Sequence, residues 1–180
     1  MQFKGTNLST SLYSLRKLDP VCNVGQFSCG HNTWDKDIND FLLEDALNEQ
    51  VKGLNVTWLC LKGAEIVGYT SLVSSNLIIK EFKWKTIFNI GEITRTEVPC
   101  ALIAQFGVAS DFQRQGVGKF MLSFIRGAAI DSEFGIKLLT LHVHKGNTAG
   151  ETFWESMGFQ VFDPKSGSDY RFMVHDLFSG

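Results

Sequence analysis

No apolar run in this 180-residue sequence is long enough to span a bilayer, and its opening stretch, MQFKGTNLSTSLYSLRKLDP, has no apolar signal core. A membrane partner and a secretory leader are therefore not expected. Neither charge sign is in excess: 17 Lys and Arg stand against 19 Asp and Glu, for a net charge of -2. That balance argues against a broad electrostatic footprint for nucleic acid, although a local basic patch is still allowed. Cysteine is sparse and scattered. Cys22, Cys29, Cys60 and Cys100 form no CxxC pair, so neither a metal site nor a disulfide framework is expected, and the thiols read as reduced in a cytoplasmic protein. Repeats and low-complexity tracts are absent as well.

What is present suits a single domain over 1–180. The chain is long enough for one sizeable core, and most of its 15 phenylalanines read as part of that core. LYSLRKLDP is a weak strand. NTWDKDINDFLLEDALNEQ spaces Trp34, Ile38, Phe41, Leu42, Leu43 and Ala46 as a helix does, capped at Asn32 or Thr33. VTWLCLKGAEIVGYTSLVSS reads as a hairpin turning at Lys62-Gly63. Residues 76–97 are either a lengthened strand pair or a loop covering a site. PCALIAQFGV is a buried strand, followed by a helix with the stripe Val117, Phe120, Met121, Phe124, Ile125 and Ala128. IKLLTLHV is a strand, NTAGETFWESM a short helix, and FQVF with DYRFMVHDL an antiparallel pair. The implied class is α/β (α+β), with a mixed, mostly antiparallel sheet of about six to seven strands and helices on both faces.

Between the PCALIAQFGV strand and its helix lies Gln113-Arg114-Gln115-Gly116-Val117-Gly118-Lys119. The first turn of a helix has unpaired N–H groups and a positive dipole end. Glycines there let an anion approach the bare amides, and Arg114 and Lys119 add charge. Two phosphate motifs do not fit. A P-loop needs four residues between its glycines and Ser or Thr after the lysine, and the dinucleotide fingerprint needs a third glycine where Met121 stands. Gly-x-Gly alone is as consistent with a softened helix start. Taken with its surroundings, Gln113-x-x-Gly116-x-Gly118 resembles the acetyl-CoA pyrophosphate loop of the GNAT acyltransferases. LHVHKGNTAGETFWESMGF resembles their second signature, with Leu141, Val143, Asn147, Gly158 and Phe159 in register. FSCGHNTWDKDINDFLLEDAL is similar to a subgroup that includes toxins acetylating aminoacyl-tRNA.

The resemblance implies a fold with splayed central strands and an N-acetyltransferase that uses acetyl-CoA by direct attack of a primary amine. Phe106, Gly107 and Val108 would offer backbone to the pantetheine arm. The amides from Arg114 through Gln115, Gly116, Val117 and Gly118 to Lys119 would hold the pyrophosphate. Asn147 would reach the arm, or cap its own helix, or both. Members often carry a tyrosine whose hydroxyl protonates the leaving thiolate; here that position is Trp154, whose indole cannot deliver a proton near neutral pH. Gly150 replaces the usual alanine on the same helix.

His142 stands where some members carry a glutamate base, and histidine suits that role near pH 7. Its bland alternative is a histidine packed on the sheet. His144 reads as a solvated loop residue. Gln105 and Tyr69 are second candidates, for substrate binding and for the missing acid; Glu92, Arg95 and Glu97 could shape an acceptor pocket. The acceptor is a small amine or a peptide amine. The other readings are a coenzyme-binding module with little turnover and a toxin acting on aminoacyl-tRNA, which the net charge weighs against. A homodimer is compatible with all of these readings.

Overall fold

The computed structural model describes residues 12–162 and 167–179. Seven strands form one sheet in the order β1-β2-β3-β4-β5-β7-β6. β1 (Ser14–Lys17), β2 (Val56–Lys62), β3 (Glu65–Ile78) and β4 (Glu97–Val108) each run antiparallel to the next. β4 and β5 (Leu138–His144) are parallel, and β7 (Tyr170–Asp176) runs antiparallel to both β5 and β6 (Gln160–Val161). The sheet is therefore mixed and mostly antiparallel, as the sequence suggests.

A parallel pair needs a crossover, and α4 (Val117–Ile130) supplies it. The apolar stripe of α4 does two jobs. Val117 and Met121 pack on Cys60 and Val67, while Leu122, Ile125 and Ala129 pack on Ile103, Leu139 and Leu141. α5 (Thr148–Ser156) joins this face through Trp154. On the opposite face α1 (Thr33–Asp40) runs through a π-helical stretch, Phe41–Asp45, into α2 (Ala46–Val51). Leu42 and Ala46 there cover Leu59 and Tyr69. Asp35 anchors the start of α1 by accepting the Asn32 backbone N–H at 3.0 Å. Leu43, one helical step past Leu42, is 45% exposed and lies off the buried stripe.

Both descriptions of 76–97 hold in part. The β3–β4 ladder continues through Asn76↔Pro99 to Ile78↔Glu97. The chain then forms α3 (Phe82–Ile87), which places Trp84, with Phe88 and Ile90, over Val98, Cys100, Leu138 and Val174. This segment closes the end of the sheet away from the glycine turn. Glu92, Arg95 and Glu97 are exposed there and do not line the cleft described below.

One irregularity sets up that cleft. Ser71 pairs with Gln105 but Leu72 pairs with Ile103, which leaves Ala104 as a bulge in β4. The β4–β5 ladder runs from Cys100↔Leu138 only as far as Ile103↔Leu141. Beyond it β4 continues to Val108 and β5 to His144 with no pairing between them. The two strands part where β4 bulges.

Candidate active site

The parted strands border a cleft of about 220 Å³, walled by Ile103 to Phe106, Leu141 to His144, Asn147, Trp154 and the start of α1. On the α4/α5 side Trp154 is 6% exposed and meets the Phe106 ring edge-on at 4.8 Å. Phe153 and Phe159 also pack against Trp154, at 4.9 and 5.1 Å.

Next to this wall β4 gives way to a 3₁₀ turn (Ser110–Phe112) and then to α4. Arg114 (φ 60°) and Gly116 (φ 90°) are left-handed, an arrangement that turns neighbouring N–H groups toward one side. The first amide of α4 with a carbonyl partner is Phe120, which donates to Gly116 at 3.0 Å. The amides of residues 114–119 donate to no acceptor among the described residues. Val117 is fully buried, and the other five, Arg114 to Gly116, Gly118 and Lys119, are at least partly open beside the exposed side chains of Arg114 and Lys119.

The two glycines serve different ends. A Cβ on Gly116 would meet open space, so its requirement is the positive φ. A Cβ on Gly118 would lie 3.2 Å from the Phe153 ring, so its absence lets α4 and α5 approach closely. The Gln113 side chain is tied down, with Nε2 donating to the Cys29 carbonyl at 2.8 Å and to that of Val108 at 3.2 Å. It fastens the loop to the segment before α1. Gly107 is buried, and a Cβ there would lie 2.9 Å from Ile38. Val108 is half-buried with Val117 and Phe112.

Asn147 caps α5: its Oδ1 accepts the Gly150 N–H at 2.8 Å. A Cβ on Gly150 would lie 2.7 Å from Asn147 Nδ2. The glycine that replaces the usual alanine therefore accommodates this cap.

Gln105 is half-buried on the cleft wall, and its carbonyl accepts from Thr70 Oγ1 at 3.0 Å. His142 is exposed on the α1 side of β5, 4.8 Å from the Phe172 ring. Crowding by the protein pushes its pKa below the usual histidine range, which leaves a neutral, proton-accepting imidazole at pH 7. His144 is the last residue of β5 and not a solvated loop residue. It is half-buried, stacked on Trp34 at 5.2 Å, and its Nδ1 accepts the Gly146 N–H at 3.0 Å.

Tyr69 is not brought to the cleft. It is fully buried beneath α1, donates to the Ile38 carbonyl at 2.5 Å, and has its pKa pushed up by burial. Burial also raises the Cys29, Cys60 and Cys100 thiols to about 12, so none is a ready nucleophile. Trp34, Asp37 and Tyr170, which line the cleft, carry no sequence signal of a site. They gather there only because α1 and β7 converge on the parted strands.

A parallel pair opened at a bulge thus lies beside a helix start whose first amides lack a carbonyl partner among the described residues. The Acetyltransferase (GNAT) family model matches residues 23–159. The chain belongs to that family and is an acetyl-CoA-dependent acetyltransferase. No curated protein sequence matches it. Among solved structures it is similar to AtaT complexed with acetyl-methionyl-tRNAfMet, at 16% identity and TM-score 0.68 over 89% of this chain and 93% of that one. It is also similar to a tyrosine-to-phenylalanine mutant of KacT, at 17% identity and TM-score 0.70 over 92% and 95%. A structure described as a bacterial toxin matches at 16% identity and TM-score 0.73 over 92% and 90%. No helix among the described residues is long and apolar enough to cross a membrane.

Proposed function

We propose that the chain transfers an acetyl group from acetyl-CoA to a primary amine that enters the cleft from the α1 side, with His142 as the base. The observation that carries this reading is the run of unpaired amides at residues 114–119 next to strands that part at Ala104. Those amides, with Arg114 and Lys119, suit a diphosphate. The backbone of Phe106, Gly107 and Val108, unpaired toward β5, suits an extended amide-bearing arm lying between the strands. Asn147 retains its Nδ2 for the same arm, since only its Oδ1 is used by the cap.

When bound, acetyl-CoA supplies an activated thioester carbonyl. The residues of the chain supply the rest. His142 accepts a proton from the incoming ammonium, and its lowered pKa keeps it ready to do so. Gln105 offers its side-chain amide to the acceptor. Trp154 offers an indole N–H but no proton, so the proton that restores the thiol comes from water in the open cleft. Free-thiol release from acetyl-CoA, measured across a panel of amines, tests this. Acceptor-dependent release that is lost in His142→Ala supports it. Tight coenzyme binding with no release would mean a binding module instead.

A second reading takes aminoacyl-tRNA as the acceptor. It is favoured by the likeness to AtaT and KacT over nine-tenths of each chain. Growth arrest on expression, with acetylated aminoacyl-tRNA recovered, would support it; normal growth would count against it.

A further inference from the structure

The charges in the cleft wall are uneven. Among the described residues Asp37 is its only carboxylate, and no lysine or arginine lines it. Its aromatic residues also fall into two groups. Trp154 and Phe106 pack into the core against α4 and α5. On the α1 side Trp34 is half-buried and Tyr170 is 40% exposed, so both keep ring surface open toward the cleft. His144 joins them, stacked on Trp34 and edge-on to Tyr170 at 5.3 Å. His142 lies one strand alternation away on the same face, against Phe172. The Gly146 backbone fixes this corner, because a Cβ there would lie 3.0 Å from both Trp34 and His144.

We infer that the Trp34–His144–Tyr170 corner, with Asp37, is the acceptor subsite, and that it takes an organic ammonium carrying a flat or apolar body. This rests on the reading of the cleft as the transfer site. Aromatic faces attract both a cation and an apolar group, and a lone carboxylate completes the match to an ammonium. The same surface brings no lysine or arginine among the described residues to a phosphate. The proton-accepting His142 sits beside the corner, where an ammonium held by these rings would have to lose its proton.

Steady-state acetylation of 2-phenylethylamine, ethanolamine and glucosamine tests the inference. The aryl amine should show a KM about tenfold below the other two, with Trp34→Ala and Tyr170→Ala each raising it about fivefold and changing kcat less. Trp34→Phe and Tyr170→Phe should keep most of the preference, because the ring is retained. Asp37→Asn should raise KM for every amine. Titration of 2-phenylethylamine into the protein, followed by the NMR signals of the tryptophan indoles, reads the same subsite without turnover. If acetyl-CoA fails to bind but the amine still shifts the Trp34 indole, the transfer reading falls and the subsite stands. Equal KM values for aryl and non-aryl amines, or ring-removing variants that leave both KM and the amine titration unchanged, would overturn the subsite.

Discussion

β4 and β5 are two different structures along their length. From Cys100 to Ile103 and from Leu138 to Leu141 they form a continuous parallel ladder whose residues are nearly all buried between helices. From Ala104 to Val108 and from His142 to His144 they form no ladder, and their side chains include Gln105, His142 and His144. The change comes at one bulged residue. Below it, main-chain donors and acceptors are spent on each other and apolar side chains hold the sheet to α4. Above it, the same kinds of group are free for a ligand. The lower segment provides stability, and the upper segment is open because the lower one is fixed.

Substitutions on the two sides of the bulge should therefore behave differently, and six of them, grouped into four tests in order of expected effect, probe the contrast. Leu141→Ala removes a side chain that is 2% exposed and packed under α4. It should cost about 3 kcal/mol in denaturant unfolding, whereas Gln105→Ala above the bulge should cost less than about 0.5. A comparable loss in both would mean that the upper segment is also structural. His142→Ala should lower kcat/KM about a hundredfold with little change in melting temperature. In the wild type, kcat/KM should rise with pH along a limb centred below the ordinary histidine value of about 6.5 and level off near neutrality, because partial desolvation by the surrounding protein lowers this pKa. A limb centred above that value would assign the proton to another group.

Gly116→Ala faces open space but a φ of 90°. It should cost about 1 kcal/mol in stability from backbone conformation alone and weaken coenzyme A binding about tenfold as the turn adjusts. Gly118→Ala instead presses on Phe153, so it should disturb the contact between α4 and α5 as well as binding. Equal and purely binding effects would contradict the separate roles assigned to the two glycines. Trp154→Tyr should raise kcat about threefold if a hydroxyl at that position shortens the proton's path to the thiolate. No gain would show that water already suffices.

These contrasts also show how far the sequence could be read. The succession of strands and helices in the second half, the burial of Val117, Met121 and Ile125 on α4 and the helix closing at Gly158 follow from hydrophobic period and glycine placement, although Leu122 and Ala129 complete the buried side of α4 while Phe120, Phe124 and Ala128 are half-buried. The same holds for the glycine turn that opens α4. The bulge at Ala104 was not legible. It is a mismatch in pairing between Ser71–Leu72 and Ile103–Gln105, and no residue among them is a marked bulge former. The tie from Gln113 to Cys29, across 84 positions in the chain, was hidden for the same reason. So was the burial of Tyr69 under Ile38: a tyrosine in a strand looks alike whether its hydroxyl meets a helix carbonyl or a ligand. His144 was misread as loop because β5 extends one residue past the apolar alternation, held by Trp34 from a distant helix. Residues 76–97 were ambiguous because the segment contains both a strand extension and a short helix.

Titration of the nitrogen-15-labelled protein with coenzyme A, followed by amide chemical shifts, examines the anion cradle most directly. The amides of residues 114–119 should shift most, and a coenzyme fragment containing only the pantetheine arm should shift those of Phe106 to Val108 while leaving 114–119 in place. Saturating coenzyme A that leaves the amides of 114–119 unmoved would show that the diphosphate is held elsewhere.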